Sequence, residues 1–98
     1  MLIKVHQSYR TVVAVCDSEL IGKNFEEDKK ILDVRESFYK GEELEDKELI
    51  EKLIDLAKED ATFNIIGRKS VQCALRAGII QESGIKVIQK VPYALVLL

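Results

Sequence analysis

The sequence predicts a small α/β domain of the α+β kind, a mixed β-sheet with two helices in the order β-β-β-α-β-α-β-β over residues 1–98. Three observations carry this. Two apolar, β-branched runs near the start are separated by only a short connection, which is hairpin spacing. Residues 44–58 repeat apolar side chains at helical spacing. Residues 61–78 read as a buried strand, a glycine turn and a second helix.

In order, residues 2–7 alternate, with Ile3 and Val5 on one face and Lys4 and His6 on the other, so this strand has one wet face. Residues 11–16 are apolar on both faces, as a central strand is. Asp17 or Ser18 is placed to cap a single helical turn that Gly22 ends. Residues 23–30 read as a charged loop anchored by Phe25, and residues 31–34 as a short third strand. Phe38 and Tyr39 precede the turn residue Gly41. The first helix follows, with Leu49, Ile50, Leu53, Ile54, Leu56 and Ala57 on its apolar face and Asp46 as its N-cap. Its many carboxylates read as a solvated face. Residues 62–66 form the next strand and Gly67 opens the second helix, whose narrow stripe is Val71, Ala74 and Leu75 and whose end is Gly78. Residues 85–91 alternate as a strand; Pro92 is expected to break the ladder and leave residues 93–98 as a separate final strand or edge.

A chain of 98 residues makes one domain, burying roughly two-thirds of its unfolded surface. Cys16 and Cys73 lie far apart, which favours reduced thiols in a cytoplasmic setting. No apolar run approaches the ~18 residues of a membrane span, so no membrane association is expected. The net charge of −2 is unevenly spread. Residues 17–60 carry sixteen acids against eight bases, while residues 61–98 carry Arg68, Lys69, Arg76, Lys86 and Lys90 against Glu82 alone. A bulk polyanion binder would be basic throughout, so any nucleic-acid contact must use a local patch.

That patch centres on Asn64 with Gly67, Arg68, Lys69 and Ser70. A glycine turn lets backbone N–H groups at a helix start face an anion, and the helix dipole adds partial positive charge. Arg68 can fork onto phosphate, Lys69 adds a point charge, and Ser70 or Asn64 can donate. The competing reading is a plain strand-to-helix turn with exposed cations. The spacing is not that of a Walker A loop. Arg76, Lys86 and Lys90 extend the patch if the final strands lie beside it, and Lys4, His6 and Arg10 can join from the first hairpin. Cys16 beside Asp17, with His6 on the neighbouring strand, has the residue types of an activated thiol. Yet Asp17 raises a thiol's pKa, and Cys16 continues an apolar strand. No catalytic residue is therefore assigned. Tyr39 and Tyr93 are candidates for stacking on unpaired bases, against the plainer reading of packed rings with bonded hydroxyls. One histidine and unclustered cysteines give no metal site, and no cofactor is implied.

Several short signatures occur together: Val15-Cys16-Asp17-x-Glu19-Leu20-Ile21-Gly22-Lys23, Phe38-Tyr39-x-Gly41, Asn64-Ile65-Ile66-Gly67 and Val91-Pro92-Tyr93-Ala94. In this order the chain resembles, over nearly its whole length, the archaeal family known as domain of unknown function family 424. It departs at Tyr93, where the family usually carries histidine. The resemblance implies a cytoplasmic archaeal protein with a small α/β fold, an RNA-binding label and no established activity. Charge asymmetry and resemblance together lead to the expectation of a non-enzymatic module for RNA or a ribonucleoprotein. The alternative is a protein-interaction module or homodimer using the apolar tail, with a small-molecule enzyme third.

Overall fold

The structure is a computed structural model and describes residues 1–97. Strands β1 (Leu2–Gln7) and β2 (Thr11–Cys16) form the expected antiparallel hairpin, in register from Leu2↔Cys16 to Gln7↔Thr11. A 3-10 turn at Ser18–Leu20 leads to β3 (Asn24–Glu27) and β4 (Lys30–Asp33), a separate two-stranded ribbon. Then come the one-turn helix α1 (Glu36–Tyr39) and the two-residue strand β5 (Glu42–Glu43). Helix α2 (Asp46–Ala57), strand β6 (Ala61–Ile66) and helix α3 (Arg68–Arg76) follow. Strands β7 (Lys86–Ile88) and β8 (Val91–Leu97) end the described chain. Leu98, which the sequence reading puts in the final strand, lies outside the described residues.

The main sheet has the order β5-β1-β2-β6-β8-β7. It is mixed: β2 and β6 run parallel, and the other neighbours are antiparallel. A parallel pair needs a long crossover, and here the crossover holds the ribbon, α1, β5 and α2. The strand period of two separates the sheet's faces. Ile3, Val13, Val15, Phe63 and Ile65 point to one side, where Leu49 and Leu53 of α2 and Val71 and Ala74 of α3 meet them. Leu2, Ala14, Cys16 and Ile66 point to the other, under Val34, Tyr39, Phe25 and Leu32. The two long helices thus share one face, and the ribbon with α1 covers part of the opposite one.

Three local expectations are corrected. The charged stretch from 23 to 30 contains strand β3, paired Asn24↔Asp33 to Glu27↔Lys30. Its signal was masked because neither strand of this ribbon buries a full face. The break near the end falls at Gln89 and Lys90, both at positive φ in a tight turn, and Pro92 sits inside β8 opposite Val87. The Pro92 carbonyl still serves the ladder, accepting the Gly67 N–H at 2.8 Å. At the start of α2 the N-cap position is Glu45, not Asp46, and no side chain caps it.

Candidate functional site

The start of α3 is built by the parallel pairing of β2 with β6. Cys16 lies beside Ile66, so Asp17 emerges next to Gly67, and its N–H donates to Ile66 O at 3.0 Å. The Asp17 carboxylate then fills the helix start. Its Oδ1 accepts from the Ser70 N–H and the Ser70 hydroxyl, each at 2.8 Å, and its Oδ2 accepts from the Lys69 N–H at 3.1 Å. Asp17 is only 3 % exposed and Ser70 is fully buried. Gly67 is required: its φ is +110°, and a Cβ there would lie 2.4–2.7 Å from the carboxyl atoms of Asp17. The donors and dipole of a helix start favour an anion, and the anion held here is the chain's own. An external phosphate at this turn would meet Lys69 and Ser70 amides that are already bonded. The expected role of Asp17, capping the turn that follows it, is also corrected: Ser18–Leu20 has no side-chain cap.

The structure gathers only part of the predicted patch. Arg68 and Lys90 line one cleft of about 180 Å³ with Glu19 and Pro92. Lys69 opens onto a neighbouring, acidic cleft of about 380 Å³ with Glu19, Glu43 and Asp46. Lys86 is exposed on β7. Arg76 turns away, its Nη1 3.9 Å from Asp46 Oδ2 of α2. Asn64 lies mid-strand on the sheet face opposite the helices, between Ala14 and Leu95, and not at the turn. Lys4 donates to Ser37 O at 2.9 Å, and the His6 Nε2–H donates to Phe38 O at 2.8 Å, so both are tied to α1. Arg10 faces Asp60 at 3.8 Å, at the other end of β2 from the glycine turn.

Cys16 and His6 do not meet. Cys16 pairs with Leu2 and His6 with Val12, at opposite ends of the hairpin. Burial, and then the charge of Asp17, push the Cys16 thiol up to about 12, so it stays protonated at neutral pH. Tyr39 is 5 % exposed, and its ring belongs to the core beneath the ribbon, which leaves no free face for stacking. Tyr93 is half-buried against the same core. Phe38 stacks on His6 at 4.6 Å and meets Tyr39 edge-on at 5.0 Å. Beside these rings stands a feature the sequence reading missed: Arg35 donates from Nε and Nη2 to Asp33 Oδ2, at 3.2 and 3.0 Å. Among the described residues no three His, Cys, Asp or Glu side chains are grouped to hold a metal, and no helix is long and apolar enough to cross a membrane.

Fold and site together define a small α+β domain in which the Asp17 carboxylate fills the start of α3. The chain belongs to the family described as protein of unknown function (DUF424), whose model matches residues 5–98. Among solved structures it is similar to an uncharacterized conserved protein from Methanopyrus kandleri. That likeness has a TM-score of 0.85 at 23 % identity and covers 98 % of this chain and 90 % of the other, which shows the fold. No curated protein matches this chain.

Proposed function

We propose that the protein is a non-enzymatic binding module that holds RNA, alone or within a ribonucleoprotein, along the edge formed by Arg68, Lys69, Lys86 and Lys90. The setting proposed is cytoplasmic, archaeal and translation-associated, and it rests on the family resemblance alone. One observation carries the RNA reading. These four cations are exposed and have no acidic partner within salt-bridge distance among the described residues; Lys23, Lys29, Lys30, Lys40 and Lys47 are unpaired too, but they lie in the stretch that carries sixteen acids, whereas residues 61–98 carry Glu82 alone. Unpaired cations supply phosphate contacts at little cost, because no internal ion pair has to break.

The test is fluorescence anisotropy against a mixed pool of folded RNAs, titrated with salt. Three to five phosphate contacts give a log–log slope of roughly −2 to −5. The double charge reversal Arg68→Glu, Lys69→Glu should abolish that binding. Binding that survives the reversal, or no binding at low salt, sinks the reading.

A second reading has its own observation. Leu95 and Leu97 are 59 % and 72 % exposed on one face of β8, and β7 pairs with β8 only from Val91 to Tyr93. A strand edge that β7 leaves unpaired, with exposed apolar side chains, can accept another strand, so self-association or a protein partner is proposed as the alternative. A monomer by sedimentation at high concentration would count against self-association.

A further inference from the structure

The segment from Asp33 to Tyr39 joins the end of β4 to α1 and lines a cleft of about 270 Å³ with Asp33, Arg35, Phe38 and Tyr39. That is slightly below the roughly 300–1,000 Å³ of drug-sized sites, and suits one ring system rather than a whole dinucleotide. Tyr39 is the unusual member. A buried tyrosine normally finds a partner for its hydroxyl, yet this residue, 5 % exposed, has no hydrogen bond from its side chain to any described residue. No fully buried side-chain polar atom among the described residues lacks a partner, so the Tyr39 hydroxyl is not sealed in. The residue lines the cleft, and the hydroxyl is the polar group it can offer there. A phenylalanine would pack the same core without the hydroxyl. Burial above all, with the Asp33 carboxylate adding to it, raises the phenol's pKa and keeps it a donor.

Its neighbours complete a recognition set. Arg35 spends Nε and Nη2 on Asp33 Oδ2 alone, leaving Arg35 Nη1 to donate and Asp33 Oδ1 to accept. Phe38 supplies an aromatic wall, held in place by its stack on His6. Two donors and an acceptor beside a fixed ring match the edge of a nucleobase, which places donors and acceptors side by side on a flat apolar body.

We propose that the cleft of Asp33, Arg35, Phe38 and Tyr39 is a subsite for a single nucleobase, with Tyr39 acting through its hydroxyl and Phe38 through its ring. The proposal rests on the RNA-binding reading for its source, an unpaired base in a strand; the same chemistry also fits a free mononucleotide.

The experiment compares the wild type, Tyr39→Phe, and the Arg68→Glu, Lys69→Glu reversal. Each is titrated with a single-stranded RNA octamer, with a duplex of the same length, and, by NMR, with nucleoside monophosphates. Tyr39→Phe should weaken octamer binding about five- to tenfold, the loss of one hydrogen bond. It should leave duplex binding and the salt slope unchanged, because no phosphate contact is lost. The charge reversal should weaken both RNAs. If Tyr39→Phe binds octamer and monophosphates like the wild type, the subsite is overturned even where the basic edge still binds RNA. If monophosphates shift Phe38 and Tyr39 resonances but no RNA binds, the subsite stands and the RNA reading falls. If nothing binds, both fall. The substituted chain should melt with the wild type, since the hydroxyl bonds to nothing inside, so misfolding does not mimic the loss.

Discussion

Asp17→Ala tests the internal anion at the start of α3 most directly. The substitution removes a carboxylate that accepts three hydrogen bonds at 2.8–3.1 Å. Losing a helix cap costs about 0.5–2 kcal/mol, and leaving the buried Ser70 amide and hydroxyl unsatisfied adds about 1–3 kcal/mol. The contributions overlap because one carboxylate serves all three donors, so about 3 kcal/mol is expected. In a domain of this length that lowers Tm by roughly 10–20 °C. Gly67→Ala attacks the same joint from the other side. The backbone conformation there is almost glycine-only, costing about 1–3 kcal/mol for another residue. The new Cβ would also collide with a carboxylate that cannot swing away without dropping its bonds, adding about 1–3 kcal/mol. With Asp17 already truncated, the collision disappears and only backbone strain remains. The double variant should therefore be more stable than the summed single losses by about 1–3 kcal/mol. Urea unfolding followed by circular dichroism reads all four corners of the cycle. Additivity within about 0.5 kcal/mol, or an Asp17→Ala chain as stable as the wild type, would refute this account of the joint.

Other expectations follow from the same structure. Cys16 titrates from 9.0 when free to about 12 when folded. The folded state holds its proton longer, so stability should fall as pH rises from about 9 toward 12; Cys16→Ala should flatten that alkaline limb of a urea-midpoint profile. Cys73 is raised too, chiefly by burial, so neither thiol should react with a disulfide reagent at pH 8 until the chain is unfolded. Phe63 is fully buried between the sheet and the two long helices, and Phe63→Ala should cost about 3–5 kcal/mol by urea unfolding. A Cβ on Gly41 would lie 2.2 Å from Ile3 O, so Gly41→Ala should disturb the β1–β5 edge and speed amide exchange there; unchanged exchange would count against that contact.

The legible parts of the fold were those where one residue run decides its own structure. The apolar stripe of α2, the two-faced apolar run of β2 and the glycine stop after α3, where Gly78 takes φ +76°, are periodic or steric signals carried by neighbours in sequence. Strand β3 was not legible, because its pattern is exposed, intermediate, exposed, exposed, and its order comes from pairing with β4. Nor was the break at Gln89–Lys90, where positive φ falls on residues other than glycine. At the site, the sequence identified the glycine turn, its cations and the prospect of an anion at the helix start. It did not identify the anion.

By itself the sequence determined the class of the fold, the helix start after β6 and the uneven charge, because periodicity, glycine chemistry and composition are local properties. Tertiary structure alone decided which groups meet. The parallel register of β2 with β6 brings Asp17 to donors more than fifty positions away. The packing of α3 against α2 draws Arg76 to Asp46, and Asn64 lands on the far sheet face. Tyr39 is driven into the core beneath the ribbon. Such meetings depend on long-range pairing, whose loop-closure entropy is offset by the whole core rather than by any residue in the stretch.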